Sequence, residues 1–179
     1  MFKNKRSLYW ALACGWTIFI YSTLSLVSII RKYLEKRIPL YDILTVFVVL
    51  TLVCVVVYFL KQYRNRINLY RYVLLGLVLG CYAYGIATIK YPIEKIHFVQ
   101  YGFLAFFVFR ALACDFKKFI PYMGAFLITT LVGYGDELIQ GILPNRHYDD
   151  RDVMLNAISA GLALVLVYVF GGCENRGVV

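Results

Sequence analysis

The residues LYDILTVFVVLTLVCVVVYFL, positions 40–60, are apolar on every face that a helix would present, and after Asp42 no charged residue breaks the run. A helix of a soluble protein shows an apolar stripe of 3.6-residue period with polar positions between. About 20 apolar residues are what a helix needs to cross roughly 30 Å of hydrocarbon. Positions 40–60 therefore read as a membrane span. YWALACGWTIFIYSTLSLVSII, positions 9–30, reads the same way.

Working outward, four further runs follow, at Arg71–Ile89, His97–Ala113, Phe119–Ile139 and Val153–Phe170. The fourth and sixth spans are shorter and carry polar residues near their starts, so tilt or local thinning of the bilayer is expected there. Connections such as KQYRNRINLYR are short, which makes neighbouring helices antiparallel. The expected fold is an all-α, polytopic transmembrane bundle of about six spans. It occupies 1–179 as a single membrane domain, with no room for a second one.

Composition agrees. Of the 179 residues 61% are apolar and 16% charged, and the mean hydropathy is +0.70. Soluble domains carry about 25% charged residues. Aromatic residues make up 17%, and many tyrosines lie near the ends of apolar runs, where a ring with a polar tip suits the membrane interface. The first run is too long for a signal-peptide core and no Ala-x-Ala-like site follows it, so it reads as a retained helix. Cys14, Cys54, Cys81 and Cys114 lie within apolar runs and Cys173 just beyond one. Their spacing fits no zinc or iron–sulfur pattern, and they read as small apolar fillers.

Lys and Arg near span ends set orientation. With both termini cytoplasmic, the inner segments hold Lys3, Lys5, Arg6, Lys61, Arg64, Arg66, Arg71, Arg110, Lys117, Lys118 and Arg176. The outer segments hold Arg31, Lys32, Lys36, Arg37, Lys90, Lys95, Arg146 and Arg151. Eleven against eight favours termini inside, although RKYLEKR at 31–37 pulls the other way. The net charge of +9 is split between two faces. It reads as contact with anionic lipid, and nucleic acid is not an expected partner.

The acids are not spread evenly. GDELIQGILPNRHYDDRDVMLNAISAG, positions 135–161, gathers Asp136, Glu137, Asp149, Asp150 and Asp152 with Arg146 and Arg151 between two mostly apolar runs. PIEKIHFVQY, positions 92–101, enters the fourth span from the same side and adds Glu94, Lys95, His97, Gln100 and Tyr101. Glu94 and His97 are three apart, and His97 and Tyr101 four apart, within reach on one helical face. Gln140 follows Glu137 by three and Asp136 by four, and Asn156 follows Asp152 by four. An ionisable group at bilayer depth costs about 2.5–3.5 kcal/mol or more unless paired or hydrated. Mutual pairing of these groups at one end of the bundle is the cheapest arrangement, and it makes a polar pocket. The bland readings stand beside this one: Asp152 as a helix cap, Asn156 as a hydrogen bond between helices, and Arg110, away from the group, as a snorkelling side chain.

The same residues resemble the pattern of the VanZ-like family, small bacterial membrane proteins named for one associated with resistance to the glycopeptide teicoplanin. That pattern runs acid-Lys-x-x-His-Phe-x-x-Tyr, then Glu-x-x-Gln, an Arg in a short loop, and Asp-x-x-x-Asn-x-x-Gly. Here it is followed by Glu94-Lys95-Ile96-His97-Phe98-Val99-Gln100-Tyr101, with one residue between Lys95 and His97 where the pattern has two, by Glu137-Leu138-Ile139-Gln140, by Arg146, and by Asp152 through Asn156. Glu94 replaces the more usual Asp, and Ser159 stands where Gly is common. The matched core covers about 90–165, with a similar first helix at 9–30; the spans at 40–60 and 71–89 are additional to it. The resemblance implies a bacterial envelope protein of the cytoplasmic membrane with a lipid-linked or cell-wall substrate. Antibiotic resistance does not transfer with it.

The chemistry follows from residue types. His97 titrates near neutrality and suits proton transfer, with Glu94, Glu137 and Asp152 as catalytic partners that orient it or share its proton. Lys95 and Arg146 suit a phosphate or carboxylate, Arg146 in bidentate fashion. Tyr101, Gln140 and Asn156 complete the expected substrate-binding set. No nucleophile is activated by a motif, although Tyr101 and Ser159 are candidates. No metal signature is present, and no cofactor is assigned. The expected partners are membrane lipids and a lipid-linked envelope substrate. Catalysis, binding without catalysis, a structural polar network and transport all stay open at this point.

Overall fold

In hydrocarbon a backbone satisfies its polar groups within its own segment, so each apolar run closes into a helix. A computed structural model of the chain describes residues 2–34, 40–63, 67–89, 92–143 and 148–171. Among these, six long helices and one single-turn helix carry the fold. They are α1 (Phe2–Leu34), α2 (Leu40–Tyr63), α3 (Leu69–Thr88), α4 (Pro92–Lys95), α5 (His97–Leu112), α6 (Ile120–Ile142) and α7 (Asp150–Val169). All six expected spans are helices. Ile43–Tyr63 of α2, Leu69–Thr88 and Asp150–Val169 are long and apolar enough to cross a membrane, and α5 is apolar but shorter.

The boundaries have local causes. The Asn68 side chain accepts from the Arg71 N–H at 3.1 Å and caps α3. Pro121 stands in the first turn of α6, where its missing N–H costs nothing. At α7 the Asp149 side chain accepts from the Arg151 N–H at 2.9 Å. The cap is therefore Asp149, and α7 opens at Asp150, three residues before the expected start. Asp152 lies inside the first turn. Pro92 opens the single turn α4, and Ile96, in right-handed helical conformation, joins it to α5. Glu94 and His97 thus belong to two helical segments instead of one.

Antiparallel pairing is visible in the contacts. Arg6 pairs with Asp115 at 3.0 Å, Arg110 donates to the Tyr9 hydroxyl, and Trp16 donates to the Gln100 carbonyl at 2.8 Å. Rising numbers on α1 meet falling numbers on α5. Tyr122 of α6 packs on Phe109 and Tyr168, so α6 runs opposite to α5 and α7. Arg71 of α3 lies over the Tyr168 ring, while Tyr82 meets Phe98. One end of the bundle therefore collects the starts of α5 and α7 and the end of α6; we call it the polar end. Arg110 lies at the opposite end against Tyr9, in a structural contact.

The core has two parts, with α5 and α7 between them. One joins α1, α5, α6 and α7 around Ile20, Tyr101, Leu104, Phe109, Ala125 and Ala160. The other joins α2, α3, α5 and α7 around Val48, Leu75, Tyr82, Phe98 and Phe170.

Candidate functional site

Helix α6 brings its acids inward by periodicity. Pro121, Ala125, Thr129 and Gly133 form a buried stripe at four-residue spacing. The next turn of that stripe falls on Asp136 and Glu137, three and four residues past Gly133, and then on Gln140. Asp136 and Glu137 are 1% and 0% exposed. Gly133 is required for the approach of α7, because a Cβ there would stand 2.7 Å from the Asn156 Cβ. At this contact the Asn156 Nδ2 donates to the Gly133 carbonyl at 3.3 Å.

Two groups of contacts meet at the polar end. In the first, the Tyr101 hydroxyl donates to Asp136 Oδ2 at 2.5 Å. The His97 ring lies parallel to the Tyr101 ring, with centroids 5.7 Å apart. In the second, Glu137 Oε1 accepts from Gln140 Nε2 at 2.7 Å, and Glu137 Oε2 accepts from the Asp149 N–H at 3.4 Å. Asp136 and Asp152 both stand close enough to act electrostatically on Glu137, which joins the two groups.

Glu94 completes the rim. Burial first, and then the facing Asp152 carboxylate, push the Glu94 carboxyl above its ordinary value; Arg151 opposes this and Asp149 adds to it. Asp149 is itself held low, first by the side-chain hydrogen bond from Arg151 and then by the Arg151 N–H. The Arg151 guanidinium reaches Asp149 at 2.7 Å.

Of the residues singled out in the sequence, Glu94, His97, Tyr101, Glu137, Gln140, Asp152 and Asn156 converge here. Lys95 does not join the acids. Its Nζ turns to the Thr45 hydroxyl of α2 at 3.5 Å. Arg146, expected to hold an anion, lies outside the described residues, as does His147. Ser159, considered as a nucleophile, donates to the Leu155 carbonyl of its own helix at 2.6 Å. That bond engages its hydroxyl in the helix backbone.

Sequence reasoning gave no role to Asp136, although it makes the central contact with Tyr101. The four-residue stripe of α6 is the signal that points to it. Tyr21 was also passed over. Its hydroxyl donates to the Val132 carbonyl at 2.9 Å, so α1 closes the site from a third side. Among the described residues no three His, Cys, Asp or Glu side chains converge as a metal-binding group.

Chemically, the site offers a buried tyrosine–carboxylate pair with an imidazole stacked on it and a second carboxylate beside it. These are residue types that can hold or exchange a proton.

A family model described as VanZ/LLP1 matches residues 8–171, which includes α2 and α3. No curated protein and no solved structure matches the chain.

Proposed function

From the premise that the chain belongs to the VanZ/LLP1 family, we propose that it is a multi-pass protein of the bacterial cytoplasmic membrane with its polar end outside. There it binds or modifies the headgroup of an anionic, lipid-linked or cell-wall substrate. One observation carries the reading: two helix ends bring His97 and Tyr101 of α5 and Asp136 and Glu137 of α6 together, buried, at a single end of a membrane bundle. Burying ionisable groups this way is costly unless they are paired or hydrated.

In this reading His97 is the proton carrier, and Asp136 and Tyr101 hold its surroundings. Glu137 and Asp152 are the second carboxylate pair, Gln140 holds Glu137, Asn156 holds α7 against α6 at Gly133, and Arg146 supplies positive charge to the anion. Both termini lie in the cytoplasm, as the Lys and Arg balance favours.

A second, structural reading draws on the bonds that tie helices together, Asn156 to Gly133 and Tyr21 to Val132. In it the polar network fixes packing and carries no chemistry. The test is a comparison of envelope lipids and cell-wall precursors between a deletion strain and the same strain expressing the wild type. A lipid-linked species that shifts on deletion and returns on complementation supports the first reading. Unchanged profiles refute it.

A further inference from the structure

A cleft of about 420 Å³ lies between α2, α5 and α7, on the face of α5 opposite the polar network. Thr51, Leu52 and Phe59 line it from α2, and Val99, Gly102 and Phe106 from α5. Of the two hydroxyl-bearing α2 residues that line it, Thr51 donates back to the Phe47 carbonyl at 2.8 Å and Tyr58 is exposed; most of the remaining lining is apolar. Cys54 and Tyr58 line the cleft on α2 and are exposed, so it opens sideways, toward whatever surrounds the membrane spans.

Beyond the lining residues, toward the polar end, stand two polar side chains, Thr45 and Lys95. Thr45 precedes Leu52 and Phe59 by 7 and 14 residues, which puts all three on one face of α2. Lys95 precedes Val99, Gly102 and Phe106 by 4, 7 and 11 residues. Ile96 keeps the helical conformation between α4 and α5, and its carbonyl accepts from the Val99 and Gln100 N–H groups. Lys95 therefore continues the cleft-lining face of α5. A turn or more beyond the lining residues of α5 and α2, its ammonium donates to the Thr45 hydroxyl at 3.5 Å. An apolar slot that opens to the side, with a cation beyond its lining toward the polar end, has the chemistry of a lipid with a hydrocarbon tail and an anionic head.

We infer that this cleft seats one chain of an anionic glycerophospholipid drawn from the surrounding bilayer, its phosphate held by Lys95 beside the Thr45 hydroxyl. Hydrocarbon alone gives no preference here, because bilayer tails are as apolar as the walls. Selectivity comes from the ammonium. The site stands apart from the His97 network and does not depend on the function proposed for it.

The experiment uses the full chain in nanodiscs of phosphatidylglycerol mixed with phosphatidylcholine, released and weighed by native mass spectrometry. The wild type is expected to retain one phosphatidylglycerol in preference to phosphatidylcholine. Lys95→Gln should lower that preference roughly fivefold, the equivalent of one lysine near an anionic lipid surface. Gly102→Leu, which fills the cleft, should lower retention of both lipids. Thermal melting of each variant shows whether it is folded. If Gly102→Leu does not fold, Lys95→Gln and the lipid preference of the wild type decide alone. Equal retention of the two lipids by the wild type overturns the inference, and so does an unchanged preference in folded Lys95→Gln. A lipid-free dimer, or displacement of phosphatidylglycerol by an added polyprenyl phosphate, overturns the assigned occupant.

Discussion

The Tyr101 hydroxyl donates a 2.5 Å hydrogen bond to Asp136 Oδ2 between α5 and α6, with both side chains closed off from the surface. A hydrogen bond to a charged group contributes about 1.5–3 kcal/mol, and a buried acceptor that loses its donor is left costly. Tyr101→Phe keeps the ring that stacks on His97 and removes only the hydroxyl. It should destabilise the folded protein by about that amount, measured by thermal or denaturant unfolding in detergent. Asp136→Asn keeps an oxygen that accepts from Tyr101, so it should stay closer to wild type in stability while losing function. Equal melting temperatures for wild type and Tyr101→Phe would show that the bond does not hold α5 to α6.

Glycine positions separate packing from propensity. At Gly133 a Cβ would stand 2.7 Å from the Asn156 Cβ, so Gly133→Ala must push α7 away, at a cost of about 1–3 kcal/mol. At Gly80 nothing lies within 4 Å. There Gly80→Ala should stabilise α3 by about 0.5–1 kcal/mol through reduced backbone entropy. Opposite shifts in melting temperature are expected, and a harmless Gly133→Ala would contradict the α6–α7 contact.

Helix α7 distinguishes a cap from a site residue. Asp149→Ala removes the acceptor of the Arg151 N–H and should cost about 0.5–2 kcal/mol, as loss of an N-cap does. Asp152→Asn leaves that cap in place. It should give normal yield and melting temperature with impaired complementation, and parallel loss of protein would favour the structural reading.

These cases show what the sequence makes legible. Apolar runs announce all six long helices, because a span must satisfy its own backbone wherever it sits. Helix starts are less plain. Asp149, Asp150 and Asp152 crowd the beginning of α7, and each is a good capping residue, so only the backbone conformation at Asp149 identifies the cap. Local spacing places Glu137 with Gln140 and His97 with Tyr101. It does not show that Asp136, beside Glu137, is the one that meets Tyr101, since that depends on how α6 is rotated against α5. Tyr21 and the turn of Lys95 toward Thr45 are likewise matters of which helices neighbour which.

Glu94 gives a pH signature. Its carboxyl is pushed up in the folded state, so the folded protein holds this proton more tightly than the unfolded chain does. Stability linked to Glu94 is therefore greatest below the ordinary carboxylate value and falls as pH rises through the raised one. Glu94→Gln should raise the melting temperature relative to wild type near neutral pH, and this gain should shrink in acid. A gain that grows in acid would reverse the sign and contradict the facing of Glu94 and Asp152.

Orientation is open to a thiol test in a background lacking the native five cysteines. Tyr148→Cys at the polar end should react with a membrane-impermeant reagent in intact cells. Lys117→Cys, between α5 and α6 at the other end, should react only after permeabilisation. The reverse pattern would put the polar end in the cytoplasm.

The central claim is that the network around His97 acts on an envelope lipid, and His97→Ala tests it most directly. The variant is expressed in the deletion strain at wild-type level, its melting temperature in detergent is checked, and its lipid and cell-wall precursor profile is compared with those of the deletion and wild-type strains. The account predicts a folded protein whose strain keeps the deletion profile. A wild-type profile restored by folded His97→Ala would contradict it.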